Sequence, residues 1–306
     1  MKTLKLGTRG SALALKQAEM TEAALAAAFP ELAVECVIIK TTGDRRTDVA
    51  LHEVAKAEGI WDKGVFIKEL EVALATGEID LAVHSLKDLP TVLEDPFQLR
   101  SVLARGPVAD IWIGKIPWNE VKKGSRVGTS SVRRERMVQF LKAGVKVVDL
   151  RGNVPTRLEK AATDADYDGI ILAEAGLSRL GYPTEGMFEI KRHPLFVECL
   201  PEKNFFPAAG QGAVGLEIRR GDDETGPIVD ALNHLGTWNR VSAEREFLRL
   251  LDAGCSTPIG VWSTLTGEHL EMGARVFPAG PGSPRKAKAS GVVPLEVAHQ
   301  LFENLK

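Results

Sequence analysis

The sequence predicts an α/β protein built from two similar-sized lobes and a small α+β domain at its C-terminal end. Its 306 residues favour two or three domains over one. Up to about residue 220, strand-like and helix-like segments alternate, which is typical of a parallel sheet with helical crossovers, and the alternation starts again after Pro107. We therefore expect a first lobe over residues 1–104 with 203–220, a second lobe over 105–202, and a third domain over 221–306.

The first lobe begins with a short strand, TLKLGT, and an Ala/Leu-rich helix that ends near Pro30 and has Ser11 as its expected N-cap. The next strand, AVECVIIKTT, places Cys36 in a core-like position. A polar segment from Gly43 to Lys63 then lacks a strong period, which is typical of mobile or functional loops. The helix VFIKELEVALATGE and the strand IDLAVHS follow it.

The second lobe and the C-terminal domain are predicted from the same periodicities. After Pro107 the pattern indicates the strands DIWIG and SRVGTSS, the helix VRRERMVQFLKAG, the strand VKVVDL, a helix around PTRLEKAA, the strand YDGIILA and the short helix EAGLSRLG. From about Asp222, the helical segments GPIVDALNHLG and RVSAEREFLRLLDAG precede two or three antiparallel-looking strands and a last helix, LEVAHQLFENLK.

Composition and charge argue against several classes of function. The net charge of −2 and the isoelectric point near 6.3 give no global attraction to nucleic acid or to an anionic membrane, so an anionic partner needs local clusters of Arg and Lys. Three cysteines without CxxC spacing do not fit a disulfide framework or a zinc site, and they favour a reducing cytosol. Charged residues interrupt the N-terminal segment, and no apolar run approaches the ~18 residues of a membrane span. We therefore expect a cytoplasmic protein that uses no metal.

The segment GQGAVG, residues 210–215, matches the dinucleotide-binding pattern G-x-G-x-x-G. That mechanism needs a helix that begins at the glycines and holds a pyrophosphate at its N-terminus. Here AVGLEIRR continues as a strand, so we expect no nucleotide site.

Arginines recur where predicted strands end. Arg9 follows the first strand, Arg133 and Arg134 begin the helix after GTSS, Arg151 follows VKVVDL, and Arg157 lies one to two turns into the next helix. In an open α/β sheet, ligands bind beyond the carboxyl ends of the strands, where helix N-termini also favour anions. Further hydroxyl and backbone donors are expected at the same edge, from Ser11, Thr129, Ser130, Ser131, Gly152 and Asn153. A single arginine is more often a solvated charge, but this repetition indicates a cleft for a ligand with several carboxylates or phosphates.

The segment VHSLKDLP, residues 83–90, carries the second candidate. Asp88 lies just past the strand IDLAV, beside Lys87 and near His84 and Ser85. Such an aspartate often only hydrogen-bonds its own turn, but it can also project a carboxylate into the Arg-lined cleft, where it would hold a cationic centre or move a proton. No second carboxylate is paired with it as in a glycosidase, and no His/Cys/Asp cluster has the spacing of a metal site.

Cys255 stands in LDAGCSTPIG, between a helical and a strand-like segment, with glycine before it. A lone cysteine is usually a small apolar filler. An accessible thiol on a glycine-flanked loop can instead be reactive, and the local residues leave both interpretations open.

Taken together, these segments resemble the porphobilinogen deaminase (hydroxymethylbilane synthase) family. TRGSALAL, FIKELEVAL, DLAVHSLKDLP, VGTSSVRR, LRGNVPTRL, ILAEAGLSRLG, PAAGQGAVGLE, SAEREFL and GCSTPIG occur in the family's order and cover nearly the whole chain. The most specific motifs are HSLKDLP, GTSS-x-RR and RGN-x-x-TR. The resemblance implies two periplasmic-binding-protein-like (type II) lobes with a central cleft and a small third domain.

The resemblance also implies an activity: the condensation of four porphobilinogen molecules head to tail into the linear tetrapyrrole hydroxymethylbilane, with release of ammonia. The family carries a covalent dipyrromethane cofactor as a thioether on a cysteine of the third domain, and the matching residue is Cys255. Loss of ammonia leaves an electron-poor azafulvene, which the matching carboxylate, Asp88, would stabilise while it moves protons. A monomer that passes its product to uroporphyrinogen III synthase is the family expectation.

The family's binding residues are carried over by motif, because the acetate and propionate groups of each pyrrole need basic and hydroxyl donors. The residues assigned to the cofactor, besides Cys255, are Ser85, Lys87, Thr129, Ser131, Arg133, Arg134 and Gly152. The residues assigned to the substrate are Arg9, Ser11, Lys63, Arg151 and Arg157.

The sequence departs from the family pattern in three places. The loop before FIKELE reads AEGIWDKGVF, where a Gly-rich, Lys-containing turn is usual, so Lys63 is matched by position only. ARGPVADIWIG keeps Arg105 but lacks the acidic residue that commonly follows it, and EKNFFPAAGQG carries two phenylalanines where less aromatic character is expected.

Two other classes of function share parts of the pattern. A two-lobe binding protein for an anionic metabolite, without catalysis, would have the same fold and arginines, but it predicts a secretion signal and leaves Cys255 and Asp88 without a role. A cysteine hydrolase needs a histidine base for Cys255, and no recognisable motif places one.

Overall fold

The computed structural model describes residues 3–40, 67–253, 257–280 and 282–306. The chain divides into two compact units, Met1–Gly106 with Ala213–Val241 and Pro107–Gly212 with Ser242–Lys306. The division into three domains stays a prediction. No helix of the described residues is long and apolar enough to cross a membrane.

The described strands and helices alternate as the sequence predicts. In chain order they are β1 Leu4–Arg9, α1 Ala12–Ala28, β2 Val34–Ile39, α2 Lys68–Ala75, β3 Leu81–Ser85, β4 Phe97–Val102, β5 Asp110–Gly114, β6 Arg126–Gly128, α3 Val132–Leu141, β7 Lys146–Val148, α4 Val154–Thr163, β8 Gly169–Ala173, α5 Glu174–Arg179, β9 Gly186–Ile190, β10 His193–Leu200, β11 Val214–Arg219, α6 Thr225–Asp230, α7 Leu235–Leu250, β12 Ile259–Thr266, β13 His269–Val276, β14 Arg285–Gly291 and α8 Pro294–Glu303. Leu86–Asp88 and Trp118–Glu120 form short 3₁₀ turns.

The first unit is built on a five-stranded sheet in the order β2-β1-β3-β11-β4. Strand β1 runs parallel to β2 and β3, whereas β11 is antiparallel to β3 and β4. One face packs against α1 through residues that include Leu6, Leu25 and Val83, and the other packs against α2 through Leu70, Leu74 and other apolar residues. Successive side chains of β3 therefore enter different cores, as the two-residue period of a strand requires.

The second unit contains a six-stranded sheet in the order β7-β6-β8-β5-β10-β9 and a three-stranded antiparallel sheet in the order β12-β13-β14. Helix α8 packs on the three-stranded sheet through Val297, Ala298 and Leu301. The predicted α/β class with a small α+β C-terminal part is confirmed by these sheets and helices.

Two features of the fold differ from the sequence predictions. The side chain of Cys36 is exposed, so the prediction of a core-like position is wrong. Strand β2 is the edge strand of its sheet, and Ile38, two residues further along it, is exposed as well. The structure also adds the strands β4, β9 and β10 to those predicted.

Candidate active site

Asp88 lies on a 3₁₀ turn that begins where β3 ends. The leucines on either side of the turn, Leu86 and Leu89, are both 1% exposed and belong to one apolar cluster. The backbone N–H of Leu86 donates to the carbonyl oxygen of Ala213 over 3.1 Å. In LKDL the two outer leucines therefore bury the turn at both ends, and the two charged residues between them, Lys87 and Asp88, are half-buried at its tip. None of the described residues donates a hydrogen bond to the Asp88 carboxylate.

The glycines of the segment GQGAVG have structural roles. Gly210 and Gly212 adopt positive φ angles of 71° and 82°, which glycine accommodates without strain. A Cβ atom on Gly215 would lie 2.9 Å from Cδ1 of Leu86, so the absence of a side chain there makes room for the buried leucine. The segment AVGLEIRR is confirmed as a strand, β11.

Arg9 and Ser11 lie at the same carboxyl edge of the first sheet as Asp88. Strand β1 pairs in parallel with β3, with Leu6 opposite Leu81, so the two strands end beside each other. Ser11 is the N-cap of α1, as predicted, and its Oγ accepts a hydrogen bond from the backbone N–H of Ala14 over 3.3 Å.

A buried hydrogen-bonded pair, His84 and Glu217, lies near the Asp88 turn, on the side of the sheet that faces α2. Nε2 of His84 lies 2.8 Å from Oε2 of Glu217 on the neighbouring strand β11, and both side chains are buried. Glu71 of α2 is half-buried nearby. Burial raises the pKa of its carboxyl to about 7, with further increases from Glu217 and Glu94 and an opposing effect of His84.

In the second unit, two turns at the end of β6 and β7 are joined. The hydroxyl of Ser130 donates to the carbonyl oxygen of Leu150 over 2.6 Å, and the backbone N–H of Leu150 donates back to the same hydroxyl. Each turn leads into a capped helix: Ser131 caps α3 and Asn153 caps α4. The helix N-termini and the donors expected at this edge are therefore adjacent.

Arg133 and Arg134, at the start of α3, share the carboxylate of Asp110. Nε and Nη2 of Arg134 lie 3.0 and 2.7 Å from Oδ1 of Asp110, and Nη1 of Arg133 lies 2.7 Å from Oδ2. All three side chains are buried. Burial lowers the pKa of Arg133, with an opposing effect of Asp110. The side-chain amide of Gln211 also donates to Asp110 over 3.1 Å.

The second turn carries Arg151, Gly152 and Arg157. Nε of Arg151 lies 3.2 Å from a carboxylate oxygen of Asp149, and Nε of Arg157 donates to the carbonyl oxygen of Gly152 over 2.6 Å. Gly152 has φ of 113°, and a Cβ atom there would lie 2.8 Å from Cγ2 of Thr156. Glycine is therefore required at this position by both conformation and space.

The two phenylalanines that depart from the family pattern support these arginines. The guanidinium carbon of Arg133 lies 6.0 Å from the ring centre of Phe205, and Nη1 of Arg133 donates to the carbonyl oxygen of Phe206 over 2.6 Å. The guanidinium of Arg275 lies 4.4 Å from the ring centre of Phe206. Cation–π contacts of this kind stabilise buried guanidinium groups.

The structure thus brings the predicted residues together in two groups, one in each unit. The first contains Arg9, Ser11, Ser85, Lys87 and Asp88 at the edge of the five-stranded sheet. The second contains Thr129, Ser131, Arg133, Arg134, Arg151, Gly152 and Arg157 at the edge of the six-stranded sheet. Cys255 and Lys63 lie outside the described residues. Among the described residues, no group of three or more His, Cys, Asp or Glu could hold a metal ion.

Sequence reasoning did not select Asp110, which pairs with Arg133 and Arg134, or Glu217, which pairs with His84. It also did not select Gln17, whose side-chain Nε2 donates to Oγ of Ser85 over 2.8 Å. A signal was available for the two acids, because DIWIG and VGLEIR each place a carboxylate in an otherwise apolar strand. A buried carboxylate needs a charged or hydrogen-bonding partner. Which partner it has depends on strand order and register.

The family model described as "Porphobilinogen deaminase, dipyromethane cofactor binding domain" matches residues 4–226, and the model described as "Porphobilinogen deaminase, C-terminal domain" matches residues 238–291. The chain is 40% identical over 274 residues to the porphobilinogen deaminase of Alkaliphilus metalliredigens, with 89% of this chain and 81% of the relative covered. It is 37% identical over 307 residues to that of Desulfitobacterium hafniense, with 100% and 94% covered.

Among solved structures, the chain is similar to the probable amino-acid ABC transporter extracellular-binding protein ytmK from Bacillus subtilis. The TM-score is 0.43 at 11% identity, with 79% of this chain and 96% of that protein covered.

Proposed function

The chain belongs to the porphobilinogen deaminase family, and we propose that it condenses four porphobilinogen molecules head to tail into hydroxymethylbilane with release of ammonia. The reaction is a transferase reaction primed by a covalent dipyrromethane cofactor. The observation that carries the proposal is the family match over residues 4–226, which includes the Asp88 turn and both groups of basic residues.

The described donor set fits the chemistry of dipyrromethane. The cofactor carries acetate and propionate groups, which basic side chains and helix N-termini bind. The two guanidinium groups of Arg133 and Arg134 share the single carboxylate of Asp110, so this cluster keeps a net positive charge. When bound, dipyrromethane supplies the terminal pyrrole to which the first substrate is joined. Its binding residues are proposed to be Ser85, Lys87, Thr129, Ser131, Arg133, Arg134 and Gly152, with attachment to Cys255.

The substrate is proposed to bind through basic residues at the sheet edges. Porphobilinogen has two carboxylates on its pyrrole ring, and Arg9, Arg151 and Arg157 are the arginines assigned to them. Ser11 and Lys63 are proposed to assist. Arginine suits this role because its planar guanidinium can hold both oxygens of a carboxylate.

Asp88 is proposed as the catalytic residue. Its carboxylate is half-buried at the tip of an anchored turn and receives no hydrogen bond from the described residues. A carboxylate in this setting can accept the pyrrole N–H of the substrate and stabilise the positive charge that develops as ammonia leaves. It can also give a proton to the leaving amine and take one from the newly coupled ring.

We further propose that the protein acts in the cytoplasm as a monomer and passes its product to uroporphyrinogen III synthase. Hydroxymethylbilane is an open-chain compound with a reactive hydroxymethyl group. An enzyme that closes the macrocycle is therefore the expected consumer.

The test combines turnover with intact mass. Purified protein is incubated with porphobilinogen, and released ammonia and the tetrapyrrole product are measured. Mass spectrometry of the intact protein then shows whether the chain carries the additional mass of two condensed porphobilinogen units. We expect both product and added mass in the wild type and neither in Cys255→Ser.

The matched controls are Cys36→Ser and Cys199→Ser, which remove the other two thiols. Both residues are exposed as a whole, but each sulfur is partly desolvated by its surroundings. This desolvation, together with nearby carboxylates, raises the pKa of each thiol, so neither is an activated nucleophile. Both variants should keep the added mass. A wild type that gains no mass and releases no ammonia when given porphobilinogen would contradict the proposed function and favour a binding protein.

A further inference from the structure

We propose that two polar pairs, the buried His84 with Glu217 and the partly buried Gln17 with Ser85, position the Asp88 turn for catalysis by holding the end of β3 from both faces of the sheet. His84, Glu217 and Gln17 act as positioning residues and do not touch the substrate themselves, whereas Ser85 is also one of the residues proposed to bind the cofactor. The inference rests on the proposed function, because it assigns them a role in the reaction of Asp88.

The first pair acts on the face of the sheet that packs against α2. Nε2 of His84 lies 2.8 Å from Oε2 of Glu217, which is within hydrogen-bond distance. The register places Gly215 directly opposite His84, so the imidazole reaches diagonally across to Glu217. The pair therefore links the last residues of β3 to β11 by their side chains as well as by the backbone.

The second pair acts on the opposite face, which packs against α1. The side-chain Nε2 of Gln17 lies 2.8 Å from Oγ of Ser85, and Gln17 is only 2% exposed. His84 and Ser85 are consecutive, so their side chains leave the strand on opposite sides. One is tied to a strand and the other to a helix, and both ties are made within four residues of Asp88.

The construction of the first pair favours positioning over stability. Oε1 of Glu217 is buried and has no hydrogen-bond partner among the described residues. An unsatisfied buried acceptor destabilises the folded state, and replacing both partners of a buried hydrogen bond by apolar groups of the same shape can be nearly neutral or stabilising. By contrast, a shift of about 1 Å in a catalytic group can lower the rate about 100-fold.

The test replaces the pair by apolar residues in the double variant His84→Leu/Glu217→Leu of the full-length protein. We expect the variant to remain folded by urea unfolding and to retain the mass of the bound dipyrromethane. Its kcat should fall by about 10-fold or more, with KM for porphobilinogen within about twofold of the wild type, because only the placement of Asp88 changes. Glu217→Gln keeps a hydrogen-bonding partner for Nε2 of His84 and should hold kcat within about threefold of the wild type.

The matched control uses the ion pair at the other end of the same two strands. Nη2 of Arg219 lies 3.3 Å from Oδ1 of Asp80, before the start of β3. Arg219→Met should lower the free energy of unfolding and leave kcat unchanged, because Asp80 precedes β3 and the Asp88 turn follows it, so the two lie at opposite ends of the strand.

Gln17→Leu provides an independent variant, because it acts on the other face and leaves the pair of His84 and Glu217 intact. Like the double variant, it should lower kcat. If the double variant does not fold, the kcat of Gln17→Leu alone tests the positioning role. If the folded and cofactor-loaded variants keep the wild-type kcat, or if Arg219→Met loses as much kcat as they do, the positioning role is wrong. A wild type without turnover would instead overturn the proposed function.

Discussion

Gly215 and Leu86 share one space beneath the Asp88 turn: a Cβ atom on the glycine would lie 2.9 Å from Cδ1 of the leucine and 3.0 Å from Cδ1 of Leu99. Leu86, which anchors the turn of the proposed catalytic acid, therefore occupies space that is free only because residue 215 of strand β11 has no side chain. This relationship predicts a linked change in stability and activity.

Gly215→Ala should displace the Leu86 side chain and with it the turn. Overpacking of this size destabilises a protein by about 1–3 kcal/mol, and we expect kcat to fall together with the free energy of unfolding. Urea unfolding and steady-state turnover measure the two effects. Gly280→Ala is the control, since a Cβ atom there meets nothing within 4 Å, and it should change neither quantity. Wild-type stability and turnover in Gly215→Ala would show that Leu86 does not hold the turn.

Asp110→Asn should destabilise the second unit severely. The substitution keeps the side-chain shape but leaves two buried guanidinium groups without their counter-charge, and removal of one partner from a buried ion pair costs about 3–5 kcal/mol. Chemical unfolding measures the loss. The comparison is Asp166→Asn, which removes an exposed ion pair with Arg126 and should cost no more than about 1 kcal/mol. Equal losses in the two variants would contradict the role given to Asp110.

Glu71→Gln should change how stability depends on pH. The pKa of Glu71 is raised to about 7 in the folded protein, mainly by burial, against an unperturbed value of 4.5. Between these values the folded state holds a proton that the unfolded state has released, so wild-type stability decreases as the pH rises from about 4.5 to 7.

Glutamine at position 71 carries no titratable proton, so the stability difference between Glu71→Gln and wild type should increase with pH. Because Glu71 is partly exposed, we expect an increase on the order of 1 kcal/mol between pH 5 and pH 8. Urea unfolding of both proteins at the two pH values measures it. A difference that does not change with pH would show that Glu71 titrates normally.

Asp88→Asn should abolish turnover and leave the cofactor in place. The amide cannot exchange a proton or balance a positive charge, so kcat should fall by about 100-fold to 10,000-fold, the range for loss of a general acid–base group. Stopped or continuous assays measure kcat, and intact mass measures the cofactor. Asp223→Asn changes an exposed carboxylate of the same unit and should have no effect. Normal turnover in Asp88→Asn would contradict its assignment as the catalytic residue.

Much of the fold could be predicted because local sequence controls the elements themselves. The predicted strand DIWIG corresponds to β5 at both ends, and Ser11 caps α1 through a contact three residues away. The hairpin of β9 and β10 escaped prediction for a local reason of its own. Its two turn residues, Lys191 and Arg192, adopt positive φ angles of 50° and 67°, a conformation usually signalled by Asn-Gly.

The candidate site could be predicted in its residue types but not in its partnerships. The arginines after the strands and the acid in HSLKDLP follow from motif and position in the chain. The exposure of Cys36 could not be predicted in this way, because the sequence of a strand does not show whether the strand lies at an edge of its sheet. Lys63 and Cys255 lie outside the described residues, within 41–66 and 254–256, so their placement stays a prediction.

By itself, the sequence determined the alternation of strands and helices, the family, and the residues expected to bind carboxylates and move protons. Only the tertiary structure decided that Arg133 and Arg134 share Asp110, that Leu86 occupies the space beside Gly215, and that Glu217 pairs with His84 across 133 positions of the chain. The physical reason is that periodicity and capping depend on neighbours within one or two turns. The partner of a buried charge instead depends on strand order and register, which bring distant segments together.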